Sequence, residues 1–377
     1  MFFFFFTTLL VALLLFCLTL WNTIAWPMVK VADNLARPRS LSILIPARDE
    51  EDNLAACLDA ALAQGAVVRE LLVYDDHSRD RTSQIIEMYA LRDARVRAIE
   101  VSTLPVGWCG KTYACAQLGA TARGEWILFL DADARLQDGA ATRMIMEAEA
   151  RNVTLLSCWP ALEMRSFWES ALMPLLNQVV FTLFPATLSL RRMDDASLGL
   201  AHGACILAQR STYKSTGGHA LVREEIFEDV KLAQAWRACG ELGLCLDGQD
   251  VVRVRMYRTF AEIWNGFQKN FFPAFKREST FWMFMLLHVS VFLLPFVLAP
   301  FASRFTGRWL LWLAALSVLA MRAALALRFK HPLWSILLQP VSEVVLIALG
   351  FYSWWRCRTG RGVAWKGRSY LELKIRN

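Results

Sequence analysis

The chain has 377 residues, 41 Lys and Arg against 34 Asp and Glu, and 56% hydrophobic residues, among them 15 Trp and 24 Phe. That length allows roughly two domains of about 150 residues, and that apolar content leaves room for membrane spans beside a folded domain. The net charge of +7 gathers near the apolar segments, where it suits an anionic membrane surface, and no helix-turn-helix, RNP-type or zinc-finger pattern accompanies it, so nucleic acid is set aside as a partner. The nine cysteines include no Cys-x-x-Cys pair; scattered in this way they read as reduced core thiols in a cytosolic compartment.

In chain order, Met1–Trp26 carries no charge and is about long enough to cross a hydrocarbon core at roughly 1.5 Å per residue. It lacks the basic n-region and small-residue cleavage site of a secretory signal, so residues 1–27 are expected to be an anchor. Lys30, Arg37 and Arg39 follow, which places the next segment in the cytoplasm by the positive-inside rule.

Residues 40–252 read as an α/β domain. Leu41–Pro46 is a short apolar strand stopped by proline, and Leu54, Cys57, Leu58 and Leu62 recur at helical spacing. A strand at 71–74, a helix through Ile85, Ile86, Met88 and Tyr89, a strand near Val96–Val101, a helix at 111–123 and a strand at 126–130 continue the alternation. Strands alternating with helices predict a mostly parallel sheet covered on both faces.

Acids punctuate this pattern. Asp75-Asp76 ends the run Leu71–Tyr74, and Asp131-Ala132-Asp133 ends Trp126–Leu130. Ligands collect outside the carboxyl ends of strands in open α/β sheets, so acids there face a crevice. An Asp-x-Asp in that place suits a hard divalent cation, which takes oxygen ligands and keeps positions for substrate phosphates. Turn formation is the competing use of Asp at a strand end. A third acidic pair, Glu228-Asp229, opens a helix reaching toward Cys239, where acids also complement the helix dipole. His202, His219, His288 and His331 show no metal-ligand spacing, and the first two read as pocket or turn residues.

Residues 160–200 break the rhythm with Trp159, Phe167, Trp168, Leu175, Phe181 and Phe184 around Pro174 and Pro185. They form either a core helix pair or an element at a lipid interface. Residues 253–278 interleave Arg253, Arg255, Arg258, Lys269, Lys276 and Arg277 with aromatic residues, the pattern of a helix lying on a membrane. Within 279–356, Phe281–Phe301 and Trp309–Leu327 are span candidates. Arg322 there must snorkel or pair. A third candidate, 333–355, is interrupted by Gln339, Pro340 and Glu343. A full third crossing would put Arg356, Arg358, Arg361, Lys366 and Arg368 outside, against the positive-inside rule. A re-entrant or interfacial segment keeps the basic tail, 357–377, inside.

Several stretches together resemble the family 2 glycosyltransferases with a GT-A fold. They are Ile45–Glu50, Tyr74–Ser78, Leu104–Lys111, Arg123-Gly124-Glu125, Phe129–Asp133, Glu228-Asp229 and Trp365–Tyr370. More narrowly the chain is similar to the membrane-bound subgroup that includes diapocarotenoid-acid and hopanoid-associated enzymes and, more distantly, ceramide glucosyltransferase. The Gly-Trp-x-Gly-Lys loop and the terminal Trp-Lys-Gly-Arg-x-Tyr are the most specific signals.

The resemblance implies a GT-A, Rossmann-like mixed-sheet domain in the cytoplasm, with an N-terminal transmembrane anchor and a C-terminal transmembrane helical region. It implies that Pro46, Arg48, Glu50, Asp75, Asp76, Lys111 and Asp131 bind a nucleotide-diphosphate sugar, expected to be UDP-linked. Asp131 and Asp133 are expected to hold Mg2+ or Mn2+, and Asp229 to act as the general base of an inverting transfer to a membrane lipid. Carotenoid acids, hopanoids, other isoprenoids and glycerolipids are the acceptor classes implied. Glu228, Trp264 and Lys269 fall on the acceptor side. One departure stands out: the Gln-x-x-Arg-Trp motif of polymerising relatives is replaced by Trp264–Asn270 without Arg-Trp, against a processive polysaccharide synthase. An inactive transferase-like scaffold would have lost an acid, and a nucleotidyltransferase would carry a Gly-rich phosphate loop after the first strand. The implied location is the cell membrane, in a multi-pass chain.

Overall fold

Continuous apolar runs make the central strands, because a strand covered on both faces has no polar side to alternate with. Ile43, Leu44 and Ile45 in the first strand are fully buried, each contributing about 1.5–3 kcal/mol of burial. The computed structural model describes residues 2–30, 39–275, 277–302, 305–359, 361, 363–365 and 368–370. Arg37, Lys276, Lys366 and Gly367 lie outside the described residues, and of the terminal motif only the backbone pairing of Val363–Trp365 with Arg368–Tyr370 is described. Two compact units divide the chain. One comprises Pro27–Glu163 and Thr187–Met256, and the other the described residues up to Trp26, Met164–Ala186 and those from Tyr257 onward.

The first unit is a mixed α/β layer structure. Its strands are β1 (Leu41–Ala47), β2 (Val68–Asp75), β3 (Val96–Ala98), β4 (Trp126–Leu130), β5 (Ala134–Leu136), β6 (Leu155–Trp159), β7 (Ala161–Leu162), β8 (Cys205–Gln209), β9 (Gly243–Asp247) and β10 (Val252–Val254). Seven of them form a sheet in the order β3-β2-β1-β4-β8-β6-β9, and β5-β10-β7 make a smaller one. β1 pairs in parallel with β2 and β4, as the alternation predicts, but β8 runs antiparallel to both β4 and β6. The sheet is therefore mixed. Its reversal brings the amino end of β8 to the edge where β1, β2 and β4 end, so Ala47, Asp75, Leu130 and Cys205 share one rim.

The second unit is helical. Phe2–Ala25 lies beside Phe305–Phe329, and Arg328 donates to the carbonyls of Thr23 and Trp26. Asn22 Nδ2 donates to the carbonyls of Phe181 and Phe184, each at 2.8 Å, satisfying the end of the Pro174–Leu183 helix, whose last carbonyls have no partner of their own. Glu278–Leu287 passes into a π-helical turn, His288–Leu293, just before Pro295. A proline ring clashes with the carbonyl four residues back, and a π-bulge is one way of absorbing that. Among the described residues four helices are long and apolar enough to cross a membrane: Phe2–Ala25, Glu278–Phe301, Gly307–Phe329 and Leu333–Arg358.

Candidate active site

The rim of the mixed sheet gathers the acids. β1 ends at Ala47, opposite Asp75 of β2, and the backbone N–H of Asp76 donates to the Ala47 carbonyl at 2.8 Å. Arg48, next along, turns back: its Nη1 lies 2.9 Å from the Asp76 carbonyl and 3.5 Å from Asp76 Oδ2. Both residues are buried. The Asp75 carboxylate accepts from the Ser78 backbone at 3.0 Å and from Ser83 Oγ at 2.6 Å, so it shapes its own turn. Glu50 accepts from Asn53 Nδ2 at 2.9 Å, and its N–H donates to Thr82 Oγ1. Pro46, Arg48, Glu50, Asp75 and Asp76 thus share the carboxyl end of β1 and β2.

A second cluster sits beyond β4. The Gly-Trp-Cys-Gly-Lys loop turns at Gly107, whose φ of +82° is a left-handed conformation that glycine adopts without strain, and leads into the Gly110–Thr121 helix. Thr112 Oγ1 ties that helix start to the Cys109 and Arg223 carbonyls. Lys111 then extends between two acids. Its Nζ lies 2.8 Å from Asp131 Oδ1, 3.0 Å from Asp131 Oδ2 and 2.9 Å from Glu228 Oε1. Asp229, at the start of the Glu228–Ala238 helix, accepts from the Gly203 N–H through Oδ2 and from the Val230 N–H through Oδ1, each at 2.8 Å.

Gly203 had no signal in the sequence beyond being a glycine just before a buried strand, where one often marks a close backbone approach. A Cβ at this position would lie 3.3 Å from Asp229 Oδ2 and 3.4 Å from Lys111 Nζ. The missing side chain lets the backbone donate to Asp229 while Lys111 passes beside it.

Electrostatics distinguish these groups. Burial pushes the Lys111 ammonium toward deprotonation, but Asp131 and Glu228 outweigh it and hold its pKa well above the ordinary lysine value. Burial raises Asp131, with Lys111 pulling the other way. Burial also works to raise Glu228, but Lys111 and a backbone N–H outweigh it and leave that carboxyl below the usual range. Asp229 is pushed up to about 7, first by burial and then by the charge of Glu228. A carboxyl near neutrality beside a lysine that stays charged is the kind of divergence that assigns base and electrophile in enzyme sites.

His202 and His219 are held neutral. Burial and the Lys111 charge lower His202 to about 3, and His202 Nδ1 accepts from the Ala204 N–H. His219, lowered to about 4 chiefly by burial, shares a 2.9 Å hydrogen bond with the Tyr213 hydroxyl. Cys57 donates to the Asp131 carbonyl from beneath, and burial raises its thiol to about 12, which keeps it inert.

Among the described residues no three His, Cys, Asp or Glu side chains gather to hold a metal by themselves. Asp131 and Asp133 do fit a cation that completes its shell elsewhere. Their oxygens are hard donors, and the Asp131 carboxylate already holds one cation, the Lys111 ammonium. Mg2+ and similar ions commonly take one or two carboxylates and fill the remaining positions from phosphates and water. Trp264 and Lys269 belong to the helical unit, where Trp264 packs on Phe260 and Tyr352.

Residues 42–217 match Glycosyl transferase family 2. The 4,4'-diaponeurosporenoate glycosyltransferase of Staphylococcus haemolyticus is 31% identical over 234 residues, 60% of each chain. Its namesake from Staphylococcus aureus (strain USA300) is 28% identical over 238 residues, 62% of this chain and 60% of its own. The matched region thus spans about 60% of the length of these curated relatives. A solved mannosyltransferase from Pyrobaculum calidifontis, in complex with GDP-Man and Mn2+, superposes with a TM-score of 0.52 at 18% identity, covering 92% of this chain and 99% of that one. At that identity the likeness is one of fold, and the fold is GT-A.

Proposed function

We propose that the protein transfers a sugar, with inversion, from a nucleotide-diphosphate donor to a membrane lipid, a reading supported by the match of residues 42–217 to Glycosyl transferase family 2 and by the GT-A fold. The observation that carries this reading is the Lys111 centre: a lysine held charged between Asp131 and Glu228, next to an Asp229 carboxyl poised near neutrality. The names of the staphylococcal relatives favour a carotenoid acid among the acceptors, and the donor is expected to be UDP-linked. Helices long and apolar enough to cross a membrane favour an embedded chain, and Lys30 and Arg39 favour a cytoplasmic side for the catalytic unit.

In this reading Arg48, Glu50, Asp75 and Asp76 line the nucleotide end of the rim, with Pro46 one residue before the end of the first strand. An acceptor oxygen attacks the anomeric carbon from the face opposite the nucleotide. The new C–O bond forms as the sugar–phosphate bond breaks, its electron pair leaves with the nucleoside diphosphate, and a hydroxyl acceptor gives its proton to Asp229. The Gly203 and Val230 N–H groups fix the Asp229 carboxylate for that role. Lys111 counters the growing charge on the departing diphosphate, worth about 2.7–4 kcal/mol for a well-placed donor in such sites. Asp131 and Asp133 would hold Mg2+ or Mn2+, which supplies Lewis acidity toward the phosphates when bound.

The test is nucleotide release by purified protein in lipid, across several UDP- and GDP-sugars, with a lipid extract as acceptor and with Mn2+ or EDTA. One donor turning over in an acceptor-dependent, EDTA-sensitive way supports the reading. No release from any donor, with donor binding also absent, refutes it.

A further inference from the structure

The fourth apolar helix, Leu333–Arg358, is long enough to cross a membrane, yet its neighbours place both of its ends on one side. The helical unit has two recognisable ends. At one, Trp26 stacks on Phe181 at 4.4 Å, Phe181 meets Phe329 edge-on, and Arg328 binds the carbonyls of Thr23 and Trp26. At the other, Gly307 lies against the Phe5 ring. Phe2–Ala25 and Phe305–Phe329 therefore run side by side in the same direction. Glu278–Phe301 precedes the second of them by only a few residues, so it ends near Gly307 and begins at the Trp26 end.

Residues 330–358 leave Phe329 at the Trp26 end. They finish there too: Trp354 Nε1 donates to Glu278 Oε1 at 2.7 Å, Arg358 pairs with the same carboxylate, and Ser353 Oγ donates to the Gln268 carbonyl at 2.6 Å. Between these points the segment meets Arg322 and His288. Arg322 Nη1 reaches Gln339 Oε1 at 3.2 Å, Glu343 Oε2 lies 2.9 Å from His288 Nδ1, and Gln339 Nε2 donates to Glu343 Oε1 at 2.8 Å. Arg322 is seven residues from Phe329 and His288 ten from Glu278, so these two partners lie about 10–15 Å from that end. The neighbouring crossing helices run on the order of 35 Å.

The polar groups at the turn are what such a path requires. Non-helical backbone and a helix start at membrane depth persist only where protein satisfies them, and ionisable groups there pair inside the bundle. Arg322, Gln339 and Glu343 have no exposed surface, and Arg322 and Ser342 both donate to the Ala171 carbonyl. Gly350 lets the returning helix cross closely: a Cβ there would lie 2.7 Å from Met285 Sδ.

We infer that the chain crosses the membrane three times and that residues 330–358 form a re-entrant segment, returning the basic tail to the face where the chain leaves Trp26. This rests on the embedded reading above. Arg356 and Arg361 then lie over the rings of Tyr352 and Trp355 at that face, a basic and aromatic rim matched to anionic headgroups.

The test maps sides on the full-length chain in membranes. A carbonate wash comes first: release into the supernatant overturns the embedded reading itself, and retention establishes it separately. A fluorescent protein or a phosphatase fused after Asn377 then reports the tail. An impermeant maleimide reports Cys239, an exposed thiol of the catalytic unit, and Ser303→Cys reports the connection between the second and third crossings. The expected result is the tail and Cys239 on one side and residue 303 on the other. A tail on the side opposite Cys239, or residue 303 on the same side as Cys239, overturns the inference.

Discussion

Asp229→Asn should make the protein more stable while removing its base. The carboxyl has an ordinary value of 3.8 and is pushed to about 7 by burial and Glu228. Below pH 3.8 the group is protonated in folded and unfolded chains alike and contributes nothing. Between 3.8 and about 7 the unfolded chain ionises while the folded one keeps its proton, so stability falls as pH rises. Above about 7 the deficit is constant, and the gap corresponds to about 4 kcal/mol. Water reaching the carboxyl, and the weaker hydrogen bonds an amide accepts from Gly203 and Val230, reduce the expected gain in the variant to about 1–3 kcal/mol. Thermal melting in lipid nanodiscs at several pH values reads this directly. The variant should melt above the wild type at pH 8, with the difference shrinking as pH falls toward 3.8. Equal or lower melting at pH 8, or a difference indifferent to pH, would show that Asp229 is not held near neutrality by its surroundings.

Three further outcomes follow from the same geometry. With a hydroxyl acceptor, Asp229→Asn should lower kcat about 10²–10⁴-fold, and wild-type kcat/KM should fall with unit slope below about pH 7. A carboxylate acceptor arrives already ionised and should lose far less, so paired assays with a lipid alcohol and a lipid acid separate the two chemistries. Lys111→Met should lower kcat about 10²–10³-fold yet strengthen Mn2+ binding without donor, because the ammonium no longer competes for Asp131; paramagnetic titration that finds weaker binding would refute that competition. Gly203→Ala should cut kcat about tenfold through a displaced base, with the acceptor KM nearly unchanged in steady-state assays.

Much of the catalytic unit is legible in the residues. Val96–Ala98, Gly110–Thr121 and the strand ends at Asp75 and Leu130 lie where apolar runs and turn residues put them, because local burial decides those elements. The reversal of β8 is not legible: Cys205–Gln209 is a short apolar run, and only pairing with β4 and β6 sets its direction. Residues 160–200 read as either a core helix pair or an interfacial element, and the structure divides them: Met164–Ala186 belongs to the helical unit and the flanking residues to the other. Asn22, Asn177 and Gln178 are polar positions inside apolar stretches whose partners lie far away in sequence. The Lys111 bridge was equally invisible, since its two acids come from distant points of the chain, although each residue was singled out by its motif.

The most direct measurement of the central claim is the transfer of a radiolabelled sugar from its nucleotide donor into the organic-solvent extract of membranes that contain the protein. The account predicts labelled lipid with the wild type, its loss on EDTA treatment, and its near-absence with Asp131→Asn at equal protein levels. Label that reaches the lipid fraction equally well with Asp131→Asn, or that never leaves the aqueous phase with any donor, would contradict it.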